Sequence, residues 1–205
     1  MPNSVKPSRT VIPALILSFI ALLPLQTHGE STVEETSEPL PKVKVVTNKG
    51  PFVLQLRPDV APETVDNFLD YARNGFYENT VFHRVIPGFM IQGGGFTQEL
   101  SRKSTRDPIA NEASPTLKNL RGTISMARTS APDSATSQFF INLVDNDFLN
   151  AGVRGAGYAV FGKVTEGMGV VDAIGGVDTG YSKGMADVPA DPVVIESVSV
   201  LEQAR

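Results

Sequence analysis

Val81-Phe82-His83-Arg84-Val85-Ile86-Pro87-Gly88-Phe89-Met90-Ile91-Gln92-Gly93-Gly94-Gly95-Phe96 is the stretch on which the reading of this chain turns. Phe82, Val85, Ile86, Phe89, Met90 and Ile91 suit a core, whereas Arg84 and Gln92 do not. A guanidinium cannot shed its charge, so burying it unpaired is expensive. On a strand, Arg84 therefore either pairs with an acid or faces a ligand. Pro87-Gly88 breaks the stretch into two short strands. Met90 and Gln92 have equal parity and so share one face of the second strand. Gly93 to Gly95 are expected to end that strand, because glycine lets the backbone leave in almost any direction.

A second stretch answers the first. Ser137-Gln138-Phe139-Phe140-Ile141-Asn142 also reads as a strand, with Gln138 and Phe140 on one face. Two strands that each offer a glutamine and a large apolar side chain make a greasy wall with a few polar points, the usual composition of a small-ligand or peptide pocket. Taken alone, a Phe-Phe pair is ordinary core. Periodicity alone leaves Arg84 open between a structural ion pair and a functional group.

Working outward, Lys42 to Thr47 alternates, Asn48-Lys49-Gly50-Pro51 turns, and Phe52 to Leu56 returns, which is a hairpin pattern. Pro62 opens a helix carrying Val65, Phe68, Leu69 and Ala72 on one face, and Gly75 stops it. Further strands are expected over 122–127, 158–164 and 193–200, with a short helix through Met168, Val171 and Ile174. Residues 95–121, 129–136, 145–157 and 175–191 read as loops or connections. About eight short strands and two helices, without strand–helix–strand alternation, predict a mainly β fold. The arrangement that fits is a closed eight-stranded antiparallel β-barrel capped by two α-helices, since closure removes exposed edges.

The N-terminus does not belong to that barrel. Lys6 and Arg9 precede an apolar run from Val11 to Leu25, and Thr27-His28-Gly29 supplies small residues for cleavage. Residues 1–29 are thus expected to be a secretory signal peptide, the run being short for a membrane span. The alternative is an uncleaved anchor. Residues 30–41 are acidic and proline-bearing, a flexible leader, and 42–205 form the folded domain. After cleavage, 22 acids face 16 cations, a net charge of −6. Such a chain is a poor general binder of nucleic acid. The absence of cysteine rules out thiol catalysis and thiolate metal sites. After cleavage His83 is the sole histidine, and its parity turns it away from the face of Arg84. A serine–histidine hydrolase or a zinc site is therefore disfavoured. Gly167-Met168-Gly169 lacks the third glycine of a dinucleotide fingerprint and reads as a helix entry.

Phe82 to Gly94, with Ser137 to Ile141 downstream, resembles the signature of the cyclophilins, the cyclophilin-type peptidyl-prolyl cis-trans isomerases. The resemblance runs from about Lys42 to Leu201, and Gly93-Gly94-Gly95-Phe96 and Ala127-Arg128-Thr129 look most like the bacterial periplasmic cyclophilin A branch. It implies catalysed rotation about Xaa-Pro bonds, without metal or cofactor. It implies Arg84 as donor to the prolyl amide, with Gln92 helping to hold Arg84 and the substrate backbone. Phe89, Met90, Phe140 and Leu149 are implied to line the proline pocket. Ala127, Arg128 and Thr129 form a ledge for the residues before proline, flanked by Gln138, and Phe148 and Tyr158 complete the rim. Phe148 stands where the drug-sensitive eukaryotic members carry tryptophan, so weak cyclosporin binding is expected. Tyr158 replaces a histidine there, and Arg128-Thr129 replaces smaller or uncharged residues, which changes peptide preference. The expected protein is a periplasmic monomer acting on proline-containing unfolded or extended polypeptides during the folding of exported proteins, with no lasting membrane insertion. The alternative is a non-catalytic chaperone or adaptor that uses the same pocket.

Overall fold

The structure, a computed structural model, describes residues 40–202. The signal segment expected over 1–29, and the leader over 30–41 apart from Leu40 and Pro41, lie outside the described residues. Alternation sets the first hairpin. β1 (Lys42–Thr47) buries Val43, Val45 and Thr47 while Lys44 faces solvent. It pairs antiparallel with β2 (Gly50–Leu56), Thr47 opposite Gly50. α1 (Pro62–Arg73) follows, then β3 (Thr80–Ile86) and β4 (Met90–Thr97), a hairpin turned at Pro87-Gly88 with Gly88 at φ +69°. Next come β5 (Thr123–Met126), β6 (Phe139–Asn142), a single 3₁₀ turn (Asp147–Leu149) and β7 (Val160–Glu166). α2 (Met168–Gly175), β8 (Thr179–Ser182), β9 (Met185–Pro189) and β10 (Val194–Leu201) complete the order. Eight strands close in the order β1-β10-β3-β4-β6-β5-β7-β2, every pair antiparallel. Closure gives each of them two partners and no bare edge.

The two helices plug opposite ends. Phe68 of α1 meets Tyr77, Phe139 and Phe161 at ring-centroid distances of 5.2, 5.6 and 5.3 Å. Phe139 and Phe161 stand at the beginnings of β6 and β7. At the far ends of the same strands, Gly175 of α2 abuts Leu143, and Gly167 lies against Pro51 and Phe52. Val65, Phe68, Leu69 and Ala72 of α1, and Val171 and Ile174 of α2, join the interior strand residues in one core. Ala61 gives α1 no side-chain cap. A distant loop supplies one: Glu112 Oε2 accepts from Thr64 N at 2.7 Å and Oε1 from Glu63 N at 3.2 Å. A carboxylate there satisfies two orphan donors and complements the helix dipole.

Two expectations fail. Gly93 to Gly95 do not end their strand, because β4 continues to Thr97. A Cβ on Gly94 would lie 2.8 Å from the Phe139 ring and 2.9 Å from that of Tyr77, and one on Gly95 would lie 2.5 Å from Gln138 Cγ. The glycines make room for neighbouring side chains inside a continuous strand. Residues 175–191 are not a plain connection either, since β8 and β9 form a separate two-stranded hairpin. Its turn holds Lys183 and Gly184 at φ +46° and +83°, and two positive φ values in succession match the twist of a tight hairpin.

Candidate active site

Parity places the site on the outer wall of the barrel. Ile91, Phe139 and Ile141 point into the main core, whereas their neighbours Met90 and Phe140 belong to a second, smaller cluster with Leu149. Ile86, Phe89, Ala127 and Tyr158 pack against that cluster. Across it runs a register row: Arg84 of β3 lies opposite Gln92 of β4, and Gln92 opposite Phe140 of β6. Together these residues line a cleft of about 130 Å³, walled by Arg84, Phe89, Met90, Gln92, Ala127, Arg128, Phe140, Leu149 and Tyr158. Nine of the twelve residues implied by the sequence thus meet in one place.

The other three sit at its borders. Thr129 and Gln138 line an adjoining hollow of about 170 Å³ that shares Gln92, Ala127 and Arg128 with the cleft. Phe148 stacks on Phe89 with centroids 5.6 Å apart and planes 27° apart, forming a rim. Arg102, Ser134 and Thr136 also line the adjoining hollow, and no local pattern in the sequence singles them out. Gln92, expected to help hold Arg84 and the substrate backbone, donates from Nε2 to Gln138 Oε1 at 3.1 Å. Arg84 has an ion-pair partner from outside the barrel: its Nε lies 3.5 Å from Asp187 Oδ2 on β9.

The walls are fixed by polar groups beneath them. Phe89 O accepts from Leu143 N at 2.9 Å and from Asn146 Nδ2 at 3.0 Å. Asn146 Nδ2 also reaches Asn142 Oδ1 at 2.8 Å, and Asn142 Nδ2 donates to Thr123 Oγ1 at 2.9 Å. Asn119 Oδ1 accepts from Ser125 Oγ at 2.7 Å. The three asparagines and Ser125 are buried, so satisfying one another is the condition for their presence. On the opposite wall, Arg128 donates to Gly157 O at 2.8 and 3.1 Å and to Thr129 O at 2.9 Å. Its guanidinium lies over the Tyr158 ring, 4.5 Å from the centroid, and Tyr158 meets Phe140 edge-on at 5.6 Å. Arg128 is therefore committed to holding the wall, whereas Arg84 lines the cleft and pairs only with the partly exposed Asp187 among the ion pairs of the described residues.

His83 stays out of this cleft. It is buried against Phe96, ring centroids 4.5 Å apart, and its Nδ1 has no partner. Burial pushes its pKa down from 6.5 to about 4, partly countered by its bond to the Val81 backbone. The folded chain thus keeps His83 neutral while the unfolded chain protonates it near pH 6.5. Proton uptake then favours the unfolded state, so stability falls as pH drops through 6.5 and levels off near 4. The full loss is expected to be about 3 kcal/mol. Denaturant titrations across that range check it, with His83→Phe as reference. Identical pH slopes for wild type and variant would remove His83 as the cause.

The cleft can seat a small apolar ring and set a permanent cation at its edge. Among the described residues that line it there is no serine, cysteine, histidine or carboxylate. Fold and cleft together define a closed antiparallel β-barrel with a small apolar cleft on its outer wall. The family model for cyclophilin type peptidyl-prolyl cis-trans isomerase/CLD matches residues 42–200. Over 159 residues the chain is 60% identical to peptidyl-prolyl cis-trans isomerase B of Escherichia coli, covering 76% of this chain and 97% of that one. Over 189 residues it is 48% identical to peptidyl-prolyl cis-trans isomerase A of Dickeya dadantii, covering 92% of this chain and 98% of that one. A Cryptosporidium parvum cyclophilin-type isomerase, solved in the presence of the dipeptide Ala-Pro, superposes with a TM-score of 0.66 at 29% identity. That match covers 79% of this chain and 99% of the other. The chain belongs to the cyclophilin-type peptidyl-prolyl cis-trans isomerases and is an enzyme of that activity.

Proposed function

We propose that this isomerase acts in the periplasm on exported polypeptides, with Arg84 as its transition-state donor. Rotation about a peptide bond is opposed by amide resonance, a barrier of about 18–20 kcal/mol. In the proposed pose, Met90, Phe140 and Leu149 hold the proline ring, with Phe89 beside them, while the preceding carbonyl swings. A terminal N–H of Arg84 donates to the prolyl nitrogen as that nitrogen becomes pyramidal and its lone pair leaves conjugation. The bond exists only in the twisted state, so it lowers the barrier rather than merely tightening binding. Ala127, Arg128 and Thr129, with Gln92 and Gln138, form the ledge for the residues before proline. The observation that carries this reading is the position of Arg84 at the edge of an apolar cleft that offers no other ionisable group but the wall-bound Arg128 and Tyr158.

An adaptor that only binds proline segments would use the same cleft, but would not require a cation beside it. Phe148 offers no N–H donor, which supports weak cyclosporin binding. Export is supported by the basic, apolar and small-residue succession of residues 1–29. The alignment with the Dickeya isomerase A also extends N-terminal to the barrel. Full-length protein made in a Gram-negative host is expected in the osmotic-shock fraction, its intact mass corresponding to a chain that starts at Glu30. That fraction should also speed the proline-limited refolding of an exported protein. Recovery in the membrane with residues 1–29 still attached would overturn the export reading.

A further inference from the structure

We propose that Asp187 is a positioning residue for Arg84: the β8–β9 hairpin brings its carboxylate behind the guanidinium, holds Nε, and so aims the terminal nitrogens at the cleft before substrate arrives. This rests on Arg84 being the donor.

Arg84 needs such a partner. Its side chain is 43% exposed, and a long stem in that setting samples many rotamers. The amide opposite it in the strand register, Gln92, donates instead to Gln138 Oε1 at 3.1 Å. Among the described residues Asp187 is the carboxylate paired with it, Oδ2 to Nε at 3.5 Å. Engagement at Nε leaves the two terminal nitrogens for substrate.

The carboxylate is also on the right side. Arg84 borders two hollows, the proline cleft and a second one lined by His83, Phe96, Gln138, Met185, Ala186 and Asp187. Asp187 lies in the second, so it backs the guanidinium without occupying the substrate's place. Its backbone is left-handed, φ +62°, inside a strand. That conformation is costly for most side chains and is tolerated by aspartate. The hairpin is anchored around it by the buried residues Val188 and Pro189, which pair with Gly180 and Thr179. Strain held in this way at the border of a catalytic group has a physical use in presetting that group. Stability does not account for the pair, because exposed ion pairs contribute little.

The test uses the mature enzyme with Asp187→Asn, which keeps shape and tolerates the backbone angle. Asp187→Gly is the second variant, and it accepts φ +62° without steric cost, so the fold is retained. Both are expected to lose about 3- to 10-fold in kcat/KM, carried by kcat with KM little changed. Melting midpoints should stay at the wild-type value while the Nε–H resonance of Arg84 shifts. In an Arg84→Ala background, Asp187→Asn should cost nothing further. Unchanged kcat in both single variants, or an equal loss in the Arg84→Ala background, would overturn the positioning role. If Arg84→Ala loses activity while the Asp187 variants do not, only the positioning role falls. If Arg84→Ala keeps full activity, both roles fall.

Discussion

Arg84→Ala is expected to lower kcat/KM for a short Xaa-Pro peptide by roughly 30- to 1,000-fold, about 2–4 kcal/mol of transition-state stabilisation. Losing one preorganised donor that acts only on developing charge has this scale, and the loss should appear in kcat. The fold should not notice. Arg84 is partly exposed and its ion pair with Asp187 is a surface pair, so the melting midpoint should stay within a few tenths of a kcal/mol equivalent, roughly the noise of such pairs. Arg84→Lys tests geometry against charge. Lysine keeps the positive charge but loses the rigid planar fork, so a partial rescue would assign the remainder to orientation. Exchange rates of a proline peptide, read with and without catalytic amounts of each variant, check the series. Equal acceleration by wild type and Arg84→Ala would remove Arg84 from the mechanism. Binding without acceleration by the wild type would favour the adaptor.

Gly94→Ala is expected to destabilise the barrel by about 2–5 kcal/mol. Two costs combine. The residue sits at φ +80°, where an L side chain is strained, and its Cβ would meet Phe139 and Tyr77 at 2.8 and 2.9 Å. Both rings are fully buried and neither has room to retreat. Tyr77 is further pinned by its hydroxyl, which donates to Ser137 O at 2.9 Å. Gly88→Ala isolates the first cost, since Gly88 has φ +69° but nothing within 4 Å of where the added methyl would stand. It should lose only about 1–2 kcal/mol. Denaturant midpoints of the two variants decide the matter. A Gly94→Ala loss no larger than that of Gly88→Ala would show that the packing around β4 gives way.

The contrast between those glycines explains what the sequence could and could not reveal. Alternation in Lys42 to Thr47 is a local signal and led to the barrel, whereas an arginine among apolar residues at 81–91 left its role open, and the resemblance to the cyclophilins supplied the residues of the cleft. The parity of His83 likewise turned it away from Arg84's cleft, which it does not line. Three successive glycines are equally local, yet they signal a strand end and a tight passage in the same way. Only the neighbours across the sheet, Phe139, Tyr77 and Gln138, distinguish the two. Asp187 and Glu112 were illegible for a related reason. Each acts on a group far away in sequence, Arg84 for one and the start of α1 for the other, and no spacing rule links them. In the asparagine network under Phe89, Asn146 lies in a segment whose composition says only loop, and nothing in the strand pattern around Asn142 links the two.

The outer cluster of Met90, Phe140 and Leu149 shares its strands with the interior, alternate residues of β4 and β6 serving one or the other. A one-residue insertion in either strand would exchange the two sets, putting core residues into the cleft and cleft residues into the core. Length variation among descendants of this chain is therefore barred from β4 and β6 and confined to the loops, while single substitutions at Met90 or Phe140 can reshape the cleft without disturbing the barrel's interior. The same pleat that joins catalysis to folding in register separates them in composition.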